Sequence, residues 1–162
     1  MKVTTFVYRL TGSGLSEAFI SDGANEATLK NVSYLSDALR DLVTAIISLL
    51  QGAKRAEFSW YSEPGEYQWL LTNHKQTLSV RISWYREWEE DRRPKVQGKT
   101  IFKARFILND VANAVLGQLA ALYATLGLKG YKERWVAHEF PYDKYRQLAS
   151  LVDEAETSST SN

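Results

Sequence analysis

The chain has 162 residues, a formal net charge of +1, 44% hydrophobic and 24% charged residues, and no cysteine. That length suits one domain with a buried core. The balanced charge supplies neither a global field toward nucleic acid nor the acidic excess of a nucleic-acid mimic, and the missing thiols exclude disulfides, thiolate catalysis and cysteine metal sites.

Arg9 interrupts the N-terminal run too early for the apolar core of a signal peptide. The apolar run Val43–Leu50 falls far short of the roughly 20 residues of a bilayer span. A soluble, cytoplasmic protein without a membrane partner is the expectation.

Taken in chain order, Val3–Leu10 alternates loosely and reads as a strand. Thr11-Gly12-Ser13-Gly14 is a turn, and Leu15–Ile20 is its return strand. Ala27–Val32 has the composition of either a loop or a short extra strand. Ser36 is placed as a helix N-cap with Asp37 in the first turn. From there Leu39, Leu42, Val43, Ile46, Ile47, Leu49 and Leu50 form a wide apolar face that ends at Gly52.

Ala56–Ser62, Glu66–Thr72 and Thr77–Tyr85 then alternate in step. Phe58, Trp60, Tyr67, Trp69, Leu71, Leu78, Val80, Ile82 and Trp84 share one face. Glu57, Ser59, Tyr61, Gln68, Ser79, Arg81, Ser83 and Tyr85 share the other, as in an antiparallel sheet with one face in the core. Closing the first hairpin on Glu63-Pro64-Gly65-Glu66 sets Trp60 opposite Trp69. Closing the second on Asn73-His74-Lys75-Gln76 sets Trp69 opposite Val80.

Arg86–Lys99 is a charged loop containing Trp88, and Thr100–Phe106 alternates again. Asn109 is expected to cap a second long helix ending at Gly127, which carries a small-residue stripe of Ala114, Gly117 and Ala121. Pro141 begins a third helix that stops near Glu154. The pattern predicts an α+β domain over residues 1–155 with a disordered polar tail over 156–162. Its antiparallel sheet has about six strands, with two long helices on one face and a C-terminal third helix.

Catalytic signatures are absent. Gly12-Ser13-Gly14 lacks the remaining glycines and the basic residue of a phosphate loop. His138-Glu139 has no second histidine at helical spacing, and two distant histidines without cysteine do not make a metal site. Each histidine reads as a surface or packing residue. The carboxylates Glu87, Glu89, Glu90 and Asp91 beside Arg92 and Arg93 read as a solvated loop of mixed charge. No catalytic residue, metal ligand or cofactor site is assigned.

The water-facing side of the sheet holds the candidate binding residues. Setting Trp84 against Phe102 places Arg81 opposite Arg105 and Ser83 opposite Lys103, with Gln68, Tyr61 and Tyr85 nearby. Like charges directly opposite are unfavourable unless something negative intervenes. Two arrangements meet that need. Either this face is open and takes an anion or acidic partner, or the final helix covers it with Asp143, Asp153 or Glu154. Trp88 either folds back onto the sheet or stays out as a contact anchor. Single-stranded nucleic acid is disfavoured because an RNA-recognition signature is missing.

Leu35-Ser36-Asp37-Ala38-Leu39 with Asp41-Leu42, then Trp60, Glu63-Pro64-Gly65-Glu66 and Trp69, resembles a group of bacterial α+β proteins akin to the immunity proteins that accompany polymorphic toxins. The likeness spans roughly Leu35 to Trp84, about a third of the chain. It implies a non-enzymatic protein that binds a cognate toxin, and it brings no catalytic residue with it. The alternatives are an enzyme or small-ligand binder with a pocket using Arg81, Arg105 and a tyrosine, and a subunit that self-associates through the small-residue stripe.

Overall fold

In the computed structural model, which describes residues 3–88 and 98–160, the alternating runs are strands and the helical-period runs are helices. One antiparallel sheet contains β1 (Thr5–Gly12), β2 (Leu15–Ser21) and β3 (Glu26–Ser33), in that order. A second contains β4 (Arg55–Tyr61), β5 (Glu66–His74), β6 (Thr77–Tyr85) and β7 (Lys99–Ile107), also in sequence order. Helix α1 (Ala38–Leu50) connects the sheets, and α2 (Leu108–Trp135) and α3 (Tyr142–Thr160) follow β7.

The α+β class is as expected, but the single sheet is two. The ambiguous Ala27–Val32 stretch belongs to a full strand. Ser16 pairs with Val32 while Ala18 pairs with Leu29, so Lys30 and Asn31 bulge from β3. Asn31 turns through φ 57. A bulge bends its strand and ends regular pairing. Beyond it an isolated bridge, Val32 to Ser62, joins the two sheets.

The faces of the second sheet are the ones the alternation predicts, but each expected register moves by two residues. The first hairpin closes on Ser62 and Gly65, whose N–H and C=O bond at 2.8 Å. Trp60 therefore faces Tyr67, and Phe58 faces Trp69. Gly65 has φ 92, and a side chain there would run into Trp84. The second hairpin turns on Lys75 and Gln76, both at positive φ, which is the tight two-residue turn that suits twisted strands. Trp69 consequently meets Ile82, and Leu71 meets Val80. A two-residue shift keeps every side chain on its face.

The helices fill the inner side. Ser36 is not the cap of α1; Asp37 holds that position without a side-chain cap bond. The Ser36 hydroxyl instead accepts the Tyr61 N–H at 3.0 Å. Trp60, fully buried, donates its indole N–H to Ala38 O at 2.8 Å and pins the start of α1 to the sheet. Its ring lies 4.8 Å from that of Trp69, on which Phe58 stacks at 5.3 Å.

Asn109 does not cap α2, which starts at Leu108; the helical path breaks at Gly127, where the helix was expected to end, and a further helical segment carries α2 on to Trp135. Val111, Val115 and Leu119 of α2 are buried as expected, but Tyr123 is 37% exposed and Leu126 only half-buried. By length and composition α2 could also cross a bilayer, with a mean hydropathy of 1.5 over its best window. Here it packs on β1, β7, α1 and α3. Helix α3 runs past Glu154 into the polar stretch that was expected to be disordered, as far as Thr160. Thr157 donates its hydroxyl to Asp153 O within that last part.

Candidate functional site

The outer face of the β4–β7 sheet is built in rungs. At the first hairpin end Tyr61, Glu66 and Tyr85 lie abreast. The next rung is Ser59, Gln68 and Ser83, and the one after it is Glu57, Leu70, Arg81 and Lys103. Beyond these lie Arg55, Thr72, Ser79 and Arg105. A cleft of about 320 Å³ is sunk into this face, and its polar lining is Glu57, Ser59, Gln68, Arg81, Ser83 and Tyr85.

The candidate residues therefore share one surface, in an arrangement that differs from the expected one. Arg81 faces Lys103, and Arg105 lies opposite Ser79, because the β6–β7 register is shifted by two and then broken between Ile82 and Ser83. Two cations still oppose each other directly, with a third one rung on. Arg81, Lys103 and Arg105 are all exposed. None of the three forms an ion pair with a described residue. Glu57, the carboxylate on the same rung as Arg81, is paired with Arg55.

Helix α3 packs on α1 and α2. Its Asp143 holds Arg40 through two hydrogen bonds of 2.9 and 3.0 Å. Of the carboxylates that were alternatives for neutralising the arginines, Asp143 is thus engaged by Arg40, and among the described residues no α3 carboxylate forms an ion pair with Arg81, Lys103 or Arg105; the face is closed at its hairpin end, where Glu66 is fully buried. Trp88 folds back onto the sheet: it stacks on Tyr61 at 5.4 Å and donates its indole N–H to Ser62 O at 3.0 Å. Tyr61, Tyr85 and Trp88 are half-buried, so they form a rigid aromatic end to the face. Glu89, Glu90, Asp91, Arg92 and Arg93 lie outside the described residues.

No family model, curated protein or solved structure matches this chain. The immunity-protein likeness rests on the Leu35–Trp84 motifs alone.

A second polar cluster escaped the sequence reading. His138 Nε2 lies 3.0 Å from Tyr34 O, so that nitrogen carries a proton. Its Nδ1 is 3.7 Å from Asp37 Oδ2. Burial pushes the Asp37 carboxyl above its ordinary range, against the pull of His138 and Arg40. Burial and the Asp37 charge push Asp41 up to about 6. The only sequence signal was the i, i+4 spacing of two carboxylates at a helix start. His138 comes from the other end of the fold, and nothing local marks it as their neighbour. His74, on the second hairpin, is exposed.

Proposed function

We propose that this protein acts without catalysis, by binding an acidic protein through the outer face of the β4–β7 sheet. The observation that carries this reading is the facing pair Arg81 and Lys103 with Arg105 beside it, exposed and without carboxylate partners among the described residues. Like charges held abreast raise the energy of the free protein, and an acidic group brought between them removes that cost. Gln68, Ser59 and Ser83 supply hydrogen-bonding groups, and the Tyr61–Trp88 stack supplies a preordered apolar contact at the rim. The resemblance to immunity proteins makes a cognate bacterial toxin the partner of this reading, met in the cytoplasm.

The test is photo-crosslinking in the native host with a benzophenone amino acid at Ser83, and at Glu154 on α3 as a control. A protein adduct specific to Ser83, lost in a variant with Arg81, Lys103 and Arg105 all changed to Glu, supports the reading. Absence of an adduct, or one that survives charge reversal, overturns it. The 320 Å³ cleft favours a second reading, a small anionic ligand held by Arg81 and Tyr85. Arg105, included in the earlier expectation for such a pocket, does not line it.

A further inference from the structure

Strand β1 is an edge of its sheet, and α2 serves that edge with two side chains. Gln118 Oε1 accepts the Tyr8 N–H at 3.1 Å, and Arg134 Nη2 donates to Leu10 O at 3.1 Å. The two helix residues lie on either side of Gly127, whose φ 66 and ψ −177 break the helical path. That combination is essentially restricted to glycine. The bend brings Arg134 back to the strand and leaves a gap between strand and helix. Its volume is about 270 Å³, and its apolar walls are Leu10, Ala121, Leu122 and Leu126.

We propose that this cavity is a binding site for a small amphiphilic carboxylate, with a short acyl chain or single ring against the leucines and its head group on Arg134. The volume suffices, since about 150 Å³ already accommodates benzene. The lining combines these apolar side chains with a few polar groups, among them Gln118, Thr125 and Arg134, the usual composition of a small-molecule site. Ala121, part of the small-residue stripe, keeps the space open. Arg134 is exposed and has no carboxylate partner among the described residues, whereas its neighbour Arg9 is paired with Glu17. The bond to Leu10 O fixes the Arg134 guanidinium and leaves other N–H groups for a bidentate contact with a carboxylate. This site is separate from the outer face of the β4–β7 sheet.

Isothermal titration of the full chain with octanoate, and with 1-octanol for comparison, tests the assignment. Octanoate should bind at a single site, with octanol at least about tenfold weaker because it lacks the charge-assisted pair. Arg134→Gln should abolish that preference, and Leu122→Trp should fill the cavity and remove binding of both. Ala121→Leu, at an exposed position, narrows the same space if the tryptophan variant fails to fold. No saturable octanoate binding at millimolar concentration overturns the proposal. So does binding unchanged in a folded cavity-filling variant, or equal affinity for acid and alcohol.

Discussion

The Tyr67 hydroxyl bonds both backbone groups of Lys30, accepting its N–H at 3.0 Å and donating to its C=O at 2.9 Å. Lys30 needs this because the β3 bulge removes it from the ladder with β2. A side chain of the second sheet thus stands in for a missing strand partner of the first. Burial of that phenol pushes its ionisation upward. Tyr67→Phe keeps the ring and removes both bonds, leaving a backbone donor and acceptor without their partner. It should cost about 1–3 kcal/mol in a denaturant melt. A change below a few tenths would mean that solvent replaces the hydroxyl easily.

Trp60 and Trp69 touch each other but hold their indole nitrogens differently. Trp60 donates to Ala38 O, whereas the buried Trp69 Nε1 has no partner among the described residues. Removing an unpaired polar group from a core relieves part of the cost of lost volume. Trp60→Phe should therefore destabilise more than Trp69→Phe, by about 1 kcal/mol. Trp69→Ala, which empties the contact with Phe58 and Trp60, should cost about 3–5 kcal/mol. Paired melts of the three variants would check the order.

The faces of the second sheet were legible because alternation fixes which side chains share a side, whatever the register. The registers themselves depend on which residues turn. At the second hairpin Lys75 and Gln76 adopt the left-handed region that their sequence does not advertise, while Asn73 and His74 remain in the strand. The split into two sheets was not legible either, since it follows from a bulge at Lys30–Asn31 and its rescue by a tyrosine far along the chain. The cation face could be named from sequence, but its actual pairing could not. The Asp37–His138 approach joins residues separated by most of the fold, and no pattern of spacing announces it.

Burial of the carboxylates around Asp37 has a consequence for pH. Asp41 has its carboxyl raised from 3.8 to about 6, so the folded protein binds more protons there than the unfolded chain does. Stability from this group is present below about pH 4 and is lost as pH rises through 6. Asp143 has the opposite sign: its carboxyl is lowered by Arg40, so its contribution is present above its ordinary range and lost on acidification. Asp41→Asn should thus raise the melting temperature at pH 7 and above, with the gain shrinking toward pH 4. A gain independent of pH would assign the effect to packing instead.

Arg81 and Lys103 make a prediction that needs no partner. They face each other across β6 and β7, exposed and without a described counter-ion, so their repulsion is present in the isolated protein. Arg81→Gln removes one charge and leaves a polar side chain of similar reach. Stability should stay the same or rise by up to about 1 kcal/mol at low ionic strength. The gain should vanish at high salt, where screening over about 3 Å already suppresses the repulsion. Lys103→Gln should do the same, and the double variant should gain less than the sum, because either substitution alone removes the pair. Melts of all four proteins at low and high salt measure that coupling. A loss of stability in either single variant would mean that the cations are held by something favourable in the free protein, and the facing cations would no longer support binding of an acidic partner.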